Sequence, residues 1–193
     1  MGVTIFAVRH GQTVWNHEGK LAGSTDVAMT ELGQRQARAL AAPLLAAGPF
    51  DSVWTSDLQR ASNTAALAGF DAAADPRLRE LDFGTLEGSV WRTLPPEEMI
   101  KLKDFDGFQA PGGESLEALE TRVMDFVSAL EEGRHLVFTH GGVIRLLLHK
   151  LGHHSFVENC TAVAIDWTRG LWLGRRGWED EGTQFSWFDT TRE

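Results

Sequence analysis

An α/β fold is what this 193-residue sequence predicts, and three observations predict it. Apolar runs of strand length, Val3 to Val8 and His135 to Thr139, alternate along the chain with segments whose apolar residues recur at the helical period. Both runs end alike, in histidine and then glycine, which is where open α/β sheets place their ligand groups. Finally, 42% apolar residues over this length suffice for a sizeable core, so one α/β domain spanning 1–193 is the simplest organisation.

The elements follow in order. The first strand delivers Arg9-His10-Gly11-Gln12-Thr13 onto a glycine-opened loop. Trp15-Asn16-His17 comes next, and Asn16 has an amide able to donate to an oxyanion. A polar segment through Gly19, Gly23, Ser24 and Asp26 reads as loop. Thr30 caps a helix whose apolar positions are Ala37, Leu40, Ala41, Leu44 and Leu45, closed by Gly48 and Pro49. A short strand, Ser52 to Thr55, leads into a helix beginning near Asp57 with Arg60 in its first turn. A cation there opposes the helix dipole, a placement that suggests an anion between them; taken alone, Arg60 reads as a surface arginine.

Residues 71–77 suggest a short edge strand. In the stretch from Leu78 to Gly88, the apolar residues Leu78, Leu81, Phe83 and Leu86 flank Glu80, giving a carboxyl in partly dry surroundings suited to proton transfer. Residues 89–110 show no clean period and read as an inserted helical flap. Trp91, Phe105 or Phe108 lines a substrate pocket there, or else fills the core. Pro111-Gly112-Gly113-Glu114-Ser115 is a strong turn, and Ser115 caps a helix with Leu116, Leu119, Val123, Phe126 and Leu130 on one face. After the His135–Thr139 strand, His140-Gly141-Gly142 opens a helix from Val143 to Leu151. Arg145 reads as a salt-bridging surface residue. His149, His153 and His154 lie at or beyond the helix C-terminus, where cationic imidazoles are favourable; a metal cluster is the weaker reading. Strands at 161–166, 171–173 and 185–188 finish the chain, with Trp167, Trp172, Trp178 and Trp187 as packing residues.

A net charge of -9 argues against nucleic acid or an anionic membrane as general partner, so an anionic substrate needs a local cationic pocket. The lone Cys160 forms no internal disulfide and has no zinc-ligand spacing beside it, which fits a reducing cytoplasm. There is no signal-peptide pattern and no apolar stretch near membrane-spanning length.

Taken together, Arg9, His10, Arg60, Glu80 and His140 supply two fork-shaped cations, two imidazoles and one carboxyl. The arginines suit a phosphoryl group's oxygens. One histidine attacks phosphorus, its other ring nitrogen held by a backbone carbonyl, and His140, if protonated, stabilises the transferring charge. Glu80 gives and then takes the proton. This chemistry requires no metal or other cofactor.

These residues stand in an ordered set with Trp15-Asn16, Thr30-Glu31-Leu32-Gly33, Ser56-Asp57-Leu58, Glu87-Gly88, the Pro-Gly-Gly-Glu-Ser turn and His140-Gly141-Gly142, and the set resembles the histidine phosphatase superfamily in its phosphoglycerate mutase-like branch. The resemblance implies a three-layer α/β/α sandwich on a mostly parallel sheet. It also implies His10 as the phosphorylated nucleophile, Arg9, Arg60 and His140 as the phosphate pocket, Glu80 as proton donor, and Asn16, Gly23 and Gly141 at substrate-contacting positions. Gln12, Asn63 and Leu86 depart from the common pattern without removing a catalytic group. Phosphoglycerate mutases resembling this pattern carry a longer, more basic insertion; residues 89–110 have only Arg92, Lys101 and Lys103, so a phosphatase of a small phosphorylated metabolite is favoured. α-Ribazole 5′-phosphate is one candidate, its flat base stacking on flap aromatics. A phosphoglycerate mutase and a non-catalytic phospho-ligand-binding relative are the alternatives, and a homodimer is plausible.

Overall fold

A computed structural model describes residues 2–177. The first strand, β1 (Val3–Arg9), points Ile5 and Ala7 to one face and Phe6 and Val8 to the other, and all four are buried. A strand buried on both faces must be central, and β1 is. The six-stranded sheet runs β3-β2-β4-β1-β5-β6, with β2 Ser52–Thr55, β3 Ala73–Ala74, β4 Gly133–Thr139, β5 Ala162–Asp166 and β6 Leu171–Arg176. The pairings among β3, β2, β4 and β1 are parallel; β5 and β6 are antiparallel additions at one edge.

Helices cover both faces, so the architecture is the three-layer sandwich expected. On one side α2 (Glu31–Ala39), α3 (Ala41–Ala47) and α4 (Gln59–Leu67) pack Ala37, Leu44 and Ala65 against Phe6, Val8, Leu136 and Phe138. On the other, α6 (Leu116–Ser128) and α7 (Gly141–Lys150) pack Leu119, Val123, Phe126, Ile144 and Leu148 against Ile5, Ala7, Val137 and Val163. A short helix, α1 (Val14–Glu18), follows the first loop, and α5 (Pro96–Asp104) lies in the flap. Among the described residues, no helix is long and apolar enough to cross a membrane.

Several expectations are corrected. The single helix anticipated after Thr30 is two, broken at Leu40, because Pro43 near the start of α3 has no N–H for the bond a continuous helix would require. Leu45, expected on the buried face, is 68% exposed beyond that break. Of the two readings of Phe105 and Phe108, core filling holds, at 9% and 1% exposed; Phe108 packs edge-to-face on Phe83. Trp91 stays exposed on a 3-10 turn. Arg145 makes no salt bridge among the described residues: it donates to the Leu102 and Lys103 carbonyls at the end of α5 and lies 4.9 Å over the Phe105 ring, tying the flap to α7. The strand expected at 185–188, with Trp178 and Trp187, falls outside the described residues.

Candidate active site

The register of β1 and β4 pairs Arg9 with Thr139, so the next residues, His10 and His140, leave adjacent parallel strands side by side. Their rings lie 5.2 Å apart, inclined at 60°, and both are buried. His10 Nδ1 is 2.8 Å from the Gly11 carbonyl, a contact only an N–H can make, which leaves Nε2 with its lone pair free. The carbonyl needed to fix the tautomer is therefore the neighbouring residue's own.

Arg60 is 1% exposed, a full guanidinium inside the protein. It donates through Nη2 to the Gly23 carbonyl at 2.6 Å, through Nη1 to the Thr25 carbonyl at 2.8 Å, and through Nε to His140 Nδ1 at 3.2 Å. Three of its five N–H groups are thereby used, leaving one hydrogen on each terminal nitrogen. The anion anticipated beside the α4 N-terminus is supplied by the protein: Asp26 accepts from the Gln59 N–H at 2.8 Å. Gly23 acts first as a buttress for Arg60, and a Cβ there would stand 2.4 Å from the Leu81 carbonyl.

The Arg60 contact decides the state of His140. With Nδ1 accepting, the proton of the neutral ring sits on Nε2, which is buried without a partner among the described residues. Burial first, then the charge of Arg60, the His10 ring and the Arg9 charge, holds His140 well below its usual pKa. His10 is depressed likewise by burial, Arg60 and Arg9. The protonated form of His140 is thus not the resting one: the ring is a neutral N–H donor, because a second proton would set two donors face to face.

Arg9 donates to the Val157 carbonyl at 2.6 Å, its Nε buried without a partner among the described residues, and lies 5.6 Å over the Phe156 ring. Burial lowers the pKa of both Arg9 and Arg60, and the Glu80 carboxylate opposes that shift in each. Gly141 lets Arg9 approach: a Cβ there would meet Arg9 Nε at 3.3 Å. Half-buried Glu80 accepts from the Leu81 N–H at 2.9 Å and, through both oxygens, from the Gly142 N–H at the start of α7 at 3.1 and 3.0 Å.

Asn16 completes a capping box with Thr13, its Oδ1 accepting from the Thr13 N–H at 3.1 Å. Asn159 donates to that same oxygen at 3.1 Å and to the His10 carbonyl at 3.0 Å, orienting the Asn16 amide so that its NH₂ remains available. The structure thus gathers all of the sequence-predicted site residues around one end of the sheet. Sequence reasoning missed Asn159 and Phe156, in a patternless segment after α7, and also Glu87, which holds the Arg60-gripping loop through the Ser24 and Thr25 N–H groups at 2.7 and 2.9 Å. The signal for Glu87 was the Glu87-Gly88 pair in the ordered set, which carried no stated role. Among the described residues, no group of three or more His, Cys, Asp or Glu side chains could hold a metal.

Comparison with known proteins agrees with this geometry. The family model of the histidine phosphatase superfamily (branch 1) matches residues 5–176. The Yersinia enterocolitica protein named "Probable phosphoglycerate mutase GpmB" is 33% identical, over 90% of this chain and 89% of its own length. The crystal structure of phosphoglycerate mutase from Thermus thermophilus superposes with a TM-score of 0.84 at 45% identity, covering 91% of this chain and 99% of that one. An Escherichia coli structure provisionally named alpha-ribazole-5'-P phosphatase gives 0.76 at 26% identity, over 96% and 100%.

Proposed function

This chain belongs to the histidine phosphatase superfamily, and from that membership we propose a phosphomonoester hydrolase that works through a phosphohistidine at His10. The observation that carries the reading is the tautomer pair. His10 keeps a free Nε2 while two donors unpartnered among the described residues, His140 Nε2–H and Arg9 Nε–H, call for an anionic acceptor. Arg60 adds its remaining hydrogens, and the Asn16 amide another pair.

In the first step His10 Nε2 attacks phosphorus. The N–P bond forms as the bond to the leaving oxygen breaks, and the Glu80 carboxyl gives that oxygen its proton. Water then attacks phosphorus, Glu80 takes its proton, the N–P bond breaks and His10 is restored. The guanidiniums and the neutral imidazole hold the equatorial oxygens throughout, positive charge that the chain itself provides.

Hydrolysis is favoured over mutase action because the flap carries only three cations and two of them are engaged elsewhere: Lys101 pairs with Glu98 at 2.8 Å and Arg92 lies 5.6 Å over Trp91. With Phe105 and Phe108 in the core, an aromatic that does stand beside Arg9 is Phe156, 67% exposed. It supports a small metabolite with a flat or apolar leaving group, of which α-ribazole 5′-phosphate is one. The test is release of phosphate from p-nitrophenyl phosphate without added metal, with acid-labile, base-stable phosphate trapped on His10 and both lost in His10→Ala. Turnover surviving that substitution would overturn the mechanism. Interconversion of 2- and 3-phosphoglycerate outrunning hydrolysis would overturn the assignment, and α-ribazole 5′-phosphate ranking no better than sugar phosphates by kcat/KM would remove that substrate.

A further inference from the structure

The Pro111-to-Ser115 turn has no part in the steps above, yet its glutamate is joined to the acid-base residue by a single side chain. Arg122, on the second turn of α6, donates through Nε to Glu114 Oε1 at 2.7 Å and through Nη2 to Glu114 Oε2 at 2.8 Å. Nη2 also donates to the Glu80 carbonyl at 2.9 Å, and Nη1 to the carbonyls of Arg79 at 2.6 Å and Arg77 at 2.8 Å. These five contacts match the guanidinium's five N–H groups, so no donor is spare.

Glu114 grips the other side of the same loop. Its N–H donates to the Asp82 carbonyl at 2.9 Å, the Asp82 N–H donates to its Oε2 at 3.4 Å, and Gly113 packs so close that a Cβ would stand 2.3 Å from the Asp82 oxygen. The backbone is therefore pinned on both sides of Glu80, at 77–80 by Arg122 and at 82 by Glu114. The pair itself is well covered, its side chains 21% and 16% exposed.

We infer that Arg122, braced by Glu114, is a positioning residue that fixes the Glu80 carboxyl for proton transfer to the leaving oxygen. This rests on the reading of Glu80 given above. Proton transfer depends steeply on distance, and a displacement of about 1 Å can cost about 100-fold. Lysine retains the charge but cannot fork across three carbonyls and a carboxylate.

The experiment uses two esters that share an aryl group. p-Nitrophenyl phosphate expels a phenolate that leaves without a proton; 2-(4-nitrophenyl)ethyl phosphate expels an aliphatic alkoxide that requires one. In Arg122→Lys, kcat/KM for the alkyl ester is expected to fall about 30- to 100-fold and for the aryl ester less than about 3-fold, matching in direction the effect of Glu80→Gln. Because both esters report on the same active fraction, their ratio is insensitive to partial misfolding. Glu114→Gln, a milder change, should move the ratio the same way and decides the matter where Arg122→Lys does not fold. In a Glu80→Gln background, Arg122→Lys should shift the ratio less than about 2-fold. An equal fall for both esters, or a full further shift in that background, would overturn the inference while leaving the hydrolase standing. No turnover of either ester by the unaltered protein would remove both.

Discussion

Acid should destabilise this protein through two particular side chains. His10 and His140 are 3% and 0% exposed, and burial beside Arg60 and Arg9 holds both well below the ordinary value of 6.5. When the chain unfolds they return to that value, so below it the unfolded state binds two protons that the folded state refuses. The stability they confer is fully present above pH 6.5 and is lost as pH falls toward their folded values. At about one unit below the unfolded pKa, each histidine favours unfolding by RT ln(1 + 10), about 1.4 kcal/mol, and the two together by about 3 kcal/mol. Urea unfolding at pH of about 8 and about 5.5, run on the unaltered protein and on a His10→Asn/His140→Asn double variant, isolates the effect, since carboxylates common to both cancel. The unaltered protein should lose about 3 kcal/mol more than the variant over this range. Losses agreeing within about 1 kcal/mol would show that the imidazoles are not held neutral and would refute the electrostatic account of the site. Linkage also requires the converse. Sulfate, whose charge is constant over these pH values, should bind more tightly at the acid end in the unaltered protein and not in the variant.

Three substitutions test other parts of the geometry. Arg60→Lys retains the charge but loses the fork that spans Gly23, Thr25 and His140, and kcat/KM should fall about 100-fold or more, measured with p-nitrophenyl phosphate. Gly142→Ala would place a Cβ 2.2 Å from Glu80 Oε1 and push the carboxyl from its seat, so kcat for an alkyl ester should drop about 100-fold, with a much smaller loss for an aryl ester. Phe156→Ala should raise KM for aryl phosphates over alkyl phosphates, while urea stability changes by less than about 0.5 kcal/mol because the ring is exposed.

What could be read in the sequence was what has a local cause. A buried strand ending in His-Gly announces a residue thrown onto a loop at a sheet edge, and two such strands in parallel register bring their histidines together without any knowledge of side-chain contacts. Thr30 and Ser115 cap their helices as expected, each accepting from an N–H three residues on. What could not be read depends on distant partners. Asn159 acquires meaning only through the His10 carbonyl, 149 residues away in sequence, and Arg122 only through carbonyls more than 40 residues back. Phe105 and Phe108 stayed open between pocket and core for a different reason: an aromatic near a proposed pocket has the same composition as one in the core, and only burial distinguishes them. Arg145 was misjudged because, among the described residues, helix-end carbonyls receive it, and carbonyls carry no signature in sequence.

The neutrality of His140 also changes how the charge of the site is counted. With both imidazoles neutral, the pocket holds Arg9, Arg60 and the Glu80 carboxylate, a net charge of one positive when Glu80 is ionised; protonating both rings would raise it to three within a buried volume that already depresses the guanidiniums. A phosphate dianion reverses that balance. Once it sits against Arg9 and His140 Nε2, its field opposes the repulsion that keeps the imidazoles neutral, so binding and proton uptake are coupled. The geometry nonetheless limits where a proton can go. His140 Nδ1 is occupied by Arg60 and His10 Nδ1 already carries its hydrogen toward Gly11, so His10 Nε2 is the open position, and it is the atom to which the proposed mechanism gives the attack on phosphorus. Acid should therefore tighten anion binding while slowing transfer to His10, separating affinity from rate in one titration.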